Sequence, residues 1–343
     1  MREAKVGLVV LLVLVMLGSV VSPVSAINID AISLNKKLES LERVLKNKKL
    51  SGDQIERIKN TITTLSKRLP ERQIDDIIKS YKEGVFVYST LTPEEREKLR
   101  KLAMKYPMTP PGYTMEKSRE STDTEILGFY DVQKDGRMYT NDYDYAGIKG
   151  KVYPNTLEVS RSGTHRHLLT SHVGETVNGQ DQWIELGVYR DANEPNKYFV
   201  FSWDSDNSDQ PGDKKWEDHF QIDPYRWHDF EILVLPYNYT HSEYVMWFDG
   251  QRVRSGFIVV DTTCQVDMVH EAWAEDIDAF ESSSHSYFKQ ASLYEAPNYN
   301  KIPWGDNVAT THYALYPMRE SHTLEYYNSN HYWKFETWLE SAW

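Results

Sequence analysis

The chain has 343 residues, enough for one sizeable core and a smaller companion, and its single cysteine, Cys264, excludes a disulfide within the chain. Its formal net charge of -12 hides an asymmetry: residues 27–110 carry a balance of +6 and residues 111–343 one of -19. The acidic part argues against nucleic acid as a partner, and two parts of opposite sign in one chain are expected to dock.

Residues 1–26 read as a secretory signal: Arg2 and Lys5 precede an apolar run from Val6 to Leu17, and Val24-Ser25-Ala26 supplies the small residues of a cleavage site. The run is short for a membrane span, and no later segment is apolar enough to be one, so a secreted chain with no membrane contact after cleavage is expected. Leu34, Leu38, Leu41 and Leu45 then recur at helical spacing over Ala31–Leu50. Ser51-Gly52-Asp53 breaks that helix, Ile55, Ile58, Ile62 and Leu65 stripe a second one stopped at Pro70, and Glu71–Tyr81 make a third. Thr92-Pro93-Glu94-Glu95 is a capping box that predicts a fourth helix running to Tyr106. Residues 27–110 are therefore a basic helical segment, and the proline-rich stretch that closes it leads into a linker over residues 111–122.

From residue 123 the composition changes to short runs of Tyr, Val, Ile, Phe and Trp separated by Gly, Asn, Asp and Pro, which predicts a mainly β, antiparallel sandwich over residues 123–295. Strands are expected at Gly147–Tyr153, Thr156–Ser160, Trp183–Tyr189, Tyr198–Trp203, Trp227–Leu235, Tyr244–Phe248, Arg254–Val260, Met268–Glu275 and Ser286–Tyr294, with Asp249-Gly250 as a hairpin turn. Residues 296–343, rich in Tyr, Trp and His, read as a C-terminal extension.

Two of these strands carry acids. The pleat puts Trp183, Glu185 and Gly187 on one face and the core residues Ile184, Leu186 and Val188 on the other, while Glu271, Trp273 and Glu275 share one side of a later strand. If the two strands are neighbours, two carboxyls meet in an aromatic-walled cleft. Such a pair shares a proton and can act as base and acid on water attacking an amide.

The order of features resembles the neprosin family of secreted glutamic peptidases, which are β-sandwiches similar to the fungal eqolisins. The resemblance is carried by Tyr145–Asn155, a strand near His167–His172, Ile184-Glu185-Leu186-Gly187, the aromatic strand ending in Trp203 with its polar turn to Asp206, and His270-Glu271-Ala272-Trp273-Ala274-Glu275-Asp276. It implies a concanavalin-like sandwich that cleaves polypeptide substrates in acidic surroundings without cofactor or metal. It places the catalytic pair at Glu185 and Glu275, with Glu275 the base and Glu185 the proton donor, and leaves Glu271 as a competitor for Glu275. It also makes residues 27–110 a prosegment, an intramolecular partner released as carboxylates protonate. The cysteines neprosins carry after the Trp strand are absent, replaced by the acidic stretch Asp204–Asp218. The alternative function is a non-catalytic, lectin-like sandwich binding cell-surface glycans.

Other constellations are weaker. His165 and His167, with His172 nearby, could ligate a metal, but no adjacent carboxylate or cysteine completes the set. Asp204–Asp209 lacks the glycine of a calcium loop and reads as a solvated turn. Asn238-Tyr239-Thr240 is a glycan acceptor sequence.

Overall fold

The computed structural model describes residues 30–83, 132–177, 180–205, 216–238, 241–274 and 277–340. The signal segment, the fourth helix, the linker and Glu275 lie outside the described residues, as do residues 206–215 and 239–240. Three helices come first: α1 (Ala31–Asn47), α2 (Gly52–Leu65) and α3 (Glu71–Glu83). The leucine and isoleucine stripes expected from their spacing are the buried faces. At the start of α2, the Ser51 side chain accepts from the Gln54 amide and the Gln54 side chain accepts from the Ser51 amide, which satisfies two otherwise orphaned donors.

Fifteen strands follow in chain order: β1 (Val132–Thr140), β2 (Tyr145–Tyr153), β3 (Thr164–Val177), β4 (Gln180–Asp191), β5 (Phe199–Asp204), β6 (Trp216–Gln221), β7 (His228–Pro236), β8 (Ser242–Phe248), β9 (Gln251–Ile258), β10 (Gln265–Ala274), β11 (Ser286–Glu295), β12 (Asn300–Pro303), β13 (Thr310–Ala314), β14 (Met318–Tyr327) and β15 (Asn330–Leu339). They form a seven-stranded sheet ordered β13-β1-β10-β3-β4-β5-β6 and an eight-stranded sheet ordered β14-β15-β11-β2-β7-β8-β9, with β12 paired to β11. Every pairing is antiparallel, as the alternating pattern requires.

The core lies between the inner faces. Leu169, Val173, Ile184, Leu186, Val188 and Met268 of the first sheet pack against Ile148, Ile232, Val234, Met246, Phe248 and Phe288 of the second. The Asp249-Gly250 turn joins β8 to β9 with φ of 49° and 72°, the left-handed pair that matches strand twist and favours Asp-Gly. Asp204, the first residue of the stretch read as a solvated turn, is buried and accepts a hydrogen bond from Tyr244 across the core, 2.7 Å, while residues 206–209 lie outside the described residues.

Three expectations are corrected. Thr156–Ser160 is irregular chain; the Leu157 amide is satisfied by the Tyr198 hydroxyl at 2.9 Å, so no ladder is needed there. Residues 296–343 are no appendage: β13 pairs with β1 on the edge of one sheet, and β14 and β15 extend the other from β11. The strands bearing Glu185 and Glu271 are not neighbours, because β3 lies between β4 and β10.

The helices cover the outer face of the eight-stranded sheet. Leu45, Ile58, Ile62, Ile74, Ile77 and Tyr81 share a continuous apolar cluster with Leu233, Leu235, Val245, Trp247, Tyr294 and Tyr299. Basic-on-acidic docking is therefore not what holds them. Several polar contacts across the seam run the other way, with Asp76 accepting from Trp247 at 3.0 Å and Glu83 3.5 Å from Arg252. Burial of about a dozen large side chains at roughly 1.5–3 kcal/mol each outweighs a few exposed ion pairs worth about 0–1 kcal/mol.

Candidate active site

The acids collect on the opposite outer face, that of the seven-stranded sheet. Alternation along β4 points Trp183, Glu185 and Tyr189 away from the core, and Gly187 lies between them. A Cβ there would sit 2.4 Å from the Leu169 carbonyl oxygen and 2.7 Å from the Thr170 Cα, so only glycine permits this approach of β4 to β3. Register sets His172 of β3 beside Glu185 on one side and beside Asp267 of β10 on the other. Farther along β10, Glu271 stands opposite Asp135 of β1, and Tyr313 of β13 stands opposite Arg137. Five strands thus contribute to one row of charged groups.

All of these ionisable groups except the half-buried Tyr313 are buried, which makes their pairing decisive. Arg137 donates to Asp267 at 2.8 Å and to Asp135 at 3.2 Å, and lies 3.5 Å from Glu271. Tyr313 donates its hydroxyl to Asp135 at 3.0 Å. The His172 Nδ1 lies 3.2 Å from Asp267, and its Nε2 lies 3.2 Å from Glu185, close enough for a charge contact but poorly aligned for a hydrogen bond. Burial opposes charging His172, yet Asp267 and Glu185 outweigh it and push its pKa up to about 10, so it stands as an imidazolium between two carboxylates. Glu271 moves the other way. Burial, then the charge of Glu185, push its pKa up to about 8 against the opposing pull of His172 and Arg137. After burial, the charge of Glu185 is the largest influence on Glu271, although β3 lies between their strands.

Among the described residues neither carboxyl accepts a hydrogen bond: both oxygens of Glu185 and both of Glu271 are buried, with only the ion contacts from His172 and Arg137 beside them. The indole N–H groups of Trp183 and Trp273 on the same face are also unpartnered. Buried polar groups are ordinarily satisfied, so five such atoms or more on one face point to groups held for something other than stability. Around them lies an aromatic floor in which Trp183 stacks on Trp203 at 6.3 Å and Phe201 on Trp216 at 4.2 Å, with Leu168, Tyr189 and Trp273.

The structure puts Glu185 and Glu271 on the same outer face with β3 between their strands, His172 beside the first and Arg137 beside the second, while Glu275 lies outside the described residues. The histidine set considered as a metal site is split: His172 joins the acids, but His167 faces the core. There its Nδ1 meets His270 Nε2 at 2.9 Å, and burial lowers both, His167 to about 3. Among the described residues, no three histidine or carboxylate ligand atoms of this face come close enough together to hold an ion; the one such group is His312, Glu320 and His322, at the far edge of the sheets. Arg137, Asp135, Asp267 and Tyr313 escaped the sequence reading. The alternation of Asp135, Arg137 and Tyr139 was the available signal, weakened by Asp135 and Gly136, which are residue types depleted in strands.

The fold and site define a two-sheet antiparallel sandwich with buried glutamates on one outer face. No protein-family profile matches the chain, and no curated protein does. Solved structures similar to it include a Scytalido-glutamic peptidase bound to a peptide-based transition-state analogue, 9% identical over 61% of this chain and 98% of that one, with a TM-score of 0.39. An eqolisin-family peptidase in complex with the tripeptide Ala-Ile-His is 10% identical over the same shares, also with a TM-score of 0.39. A Bacillus licheniformis β-glucanase is 9% identical over 62% of this chain and 80% of that one, with a TM-score of 0.26. Among the described residues no helix is long and apolar enough to cross a membrane.

Proposed function

We propose that the protein is a secreted glutamic endopeptidase in which Glu185 and Glu271 activate water for peptide-bond hydrolysis. The observation that carries this reading is a pair of buried carboxyls without hydrogen bonds among the described residues, one of them holding its proton through burial and, after that, the charge of the other. Glu271, protonated, would donate to the substrate carbonyl and stabilise the developing oxyanion. Glu185 would take a proton from the attacking water, with the imidazolium of His172 steadying its charge. Glu185 then passes that proton to the departing nitrogen as the C–N bond breaks, and Glu271 recovers its own as the carbonyl re-forms. This reverses the division of labour expected from sequence and puts Glu271 where Glu275 was expected. Burial of both carboxyls fits a chain made as a zymogen, although helices α1–α3 cover the other sheet and would not block this face themselves.

The test is hydrolysis of a denatured protein across a pH series by wild type, Glu185→Gln, Glu271→Gln and Glu275→Gln. Glu271→Gln and Glu185→Gln should each lose activity by orders of magnitude, with activity in the wild type confined to pH below about 8. Full activity in Glu271→Gln with none in Glu275→Gln would return the assignment to Glu275. The aromatic floor suits a sugar as well as a peptide, so glycan binding by all four proteins with no hydrolysis by any would favour a lectin.

A further inference from the structure

Where the edges of the two sheets meet, the last strands bring together three side chains from distant parts of the pleat. His312 lies on β13, which belongs to the seven-stranded sheet, and Glu320 and His322 lie two residues apart on one face of β14, in the eight-stranded sheet. The two imidazole rings approach to 3.6 Å between centroids. Both aim Nδ1 at the same carboxylate, His312 at one oxygen, 2.9 Å, and His322 at the other, 3.3 Å. One ligand atom from each residue lies within 4.8 Å of the others. The carboxylate is largely covered, its side chain 15% exposed, while the histidines stand half open.

We propose that His312, Glu320 and His322 bind a divalent transition-metal ion, zinc in the first instance, that clamps the two sheets together. Two imidazoles and a carboxylate are a ligand set zinc accepts at about 2.0–2.2 Å, with the fourth position left to water. Tetrahedral ligands at that radius stand about 3.4 Å apart, so separations of this size need only small rotations of side chains whose strands are already fixed. Nitrogen donors with one oxygen exclude magnesium and calcium, which take oxygen ligands. Beside β14, Trp333 of β15 edges against the His322 ring at 5.3 Å and limits its rotation. The clamp has a structural consequence beyond itself, since β13 also carries Tyr313, whose hydroxyl holds Asp135 in the charged row.

The test uses the full chain, purified without a polyhistidine tag and stripped with a chelator. Zinc chloride is titrated in by calorimetry, and thermal unfolding is followed with and without the ion. Wild type should take up one saturable zinc per chain and melt at a higher temperature as free zinc exceeds its dissociation constant. Glu320→Gln and His322→Asn should each bind more than about tenfold more weakly and lose the melting shift. His331→Asn, which removes a half-buried histidine that contacts Asp306 and Tyr326 and lies outside the cluster, should bind like wild type. No saturable zinc uptake by wild type would overturn the proposal and leave a carboxylate hydrogen-bonded to two imidazoles. Uptake that survives unchanged in a His312→Asn, His322→Asn double variant would overturn it equally. X-ray absorption of the zinc-loaded wild type gives an answer that needs no variant: two imidazoles in the first coordination sphere support the site, and none refutes it.

Discussion

The two outer faces of the sandwich are built from the same pleat and meet opposite fates. On the eight-stranded sheet, helices α1–α3 cover Leu233, Val245, Trp247 and Tyr299, and the buried Glu231 beneath them accepts from Gln73 at 2.8 Å, Lys149 at 2.7 Å and Tyr294 at 2.5 Å. On the seven-stranded sheet, Glu185 and Glu271 are at least as deeply buried and accept from nothing. A glutamate that serves stability is surrounded by donors that fix its charge. One kept for chemistry retains free lone pairs and, in Glu271, a displaced pKa.

That contrast can be broken at either face. The largest effect belongs to Glu271→Gln, which should lower hydrolysis by about 10³–10⁴-fold, or about 4–5 kcal/mol of barrier, with unfolding in denaturant little changed near neutral pH. Arg137→Met should act in the opposite sense on stability. It strips the only guanidinium from Asp135, Asp267 and Glu271, and the uncompensated buried charge should cost about 3–5 kcal/mol in the same unfolding measurement. Glu231→Gln, at the helix-covered face, should cost about 1–3 kcal/mol through its weakened bonds to Lys149 and Tyr294, while leaving activity per folded molecule intact.

The pH dependence of stability has the shallowest signal at any one pH, a slope of at most about 1.4 kcal/mol per pH unit for each group. Glu271 has a folded pKa near 8 against 4.5 unfolded, so the folded chain holds the proton more tightly and stability falls as pH rises from about 4.5 to about 8. His172, raised from 6.5 to about 10, contributes stability that is present below 6.5 and lost as pH rises through 10. Both groups favour the acid side. His167, lowered to about 3, works against them, because stability is lost as pH falls from 6.5 toward 3. Denaturant midpoints across pH should therefore fall on both sides of a mildly acidic maximum, and Glu271→Gln should flatten the alkaline side alone.

Much of this was legible because period-two alternation is local. Glu185 among Trp183, Ile184, Leu186 and Val188 announced both its strand and its face, and the leucine and isoleucine stripes announced α1–α3. What lay beyond reach was order across the sheet. Nothing local says that β3 separates β4 from β10, and so nothing said that His172 would stand between Glu185 and Asp267. Arg137 was hidden for a related reason: Lys134-Asp135-Gly136-Arg137 is a poor strand in isolation and becomes one only when β10 and β13 supply partners on both sides. The last strands were obscured by their edge position, where exposed Tyr326 and Tyr327 blur the alternation.

The central claim is that Glu185 and Glu271 share a proton, and the most direct measurement is titration of the Glu271 carboxyl by carbon NMR in glutamate-labelled protein, assigned with Glu271→Gln. The expected midpoint lies near pH 8 and moves down, without reaching 4.5, when Glu185 is changed to Gln, because burial persists after the neighbouring charge is gone. A midpoint near 4.5 that ignores Glu185→Gln would contradict the coupled pair, and with it the peptidase built on it.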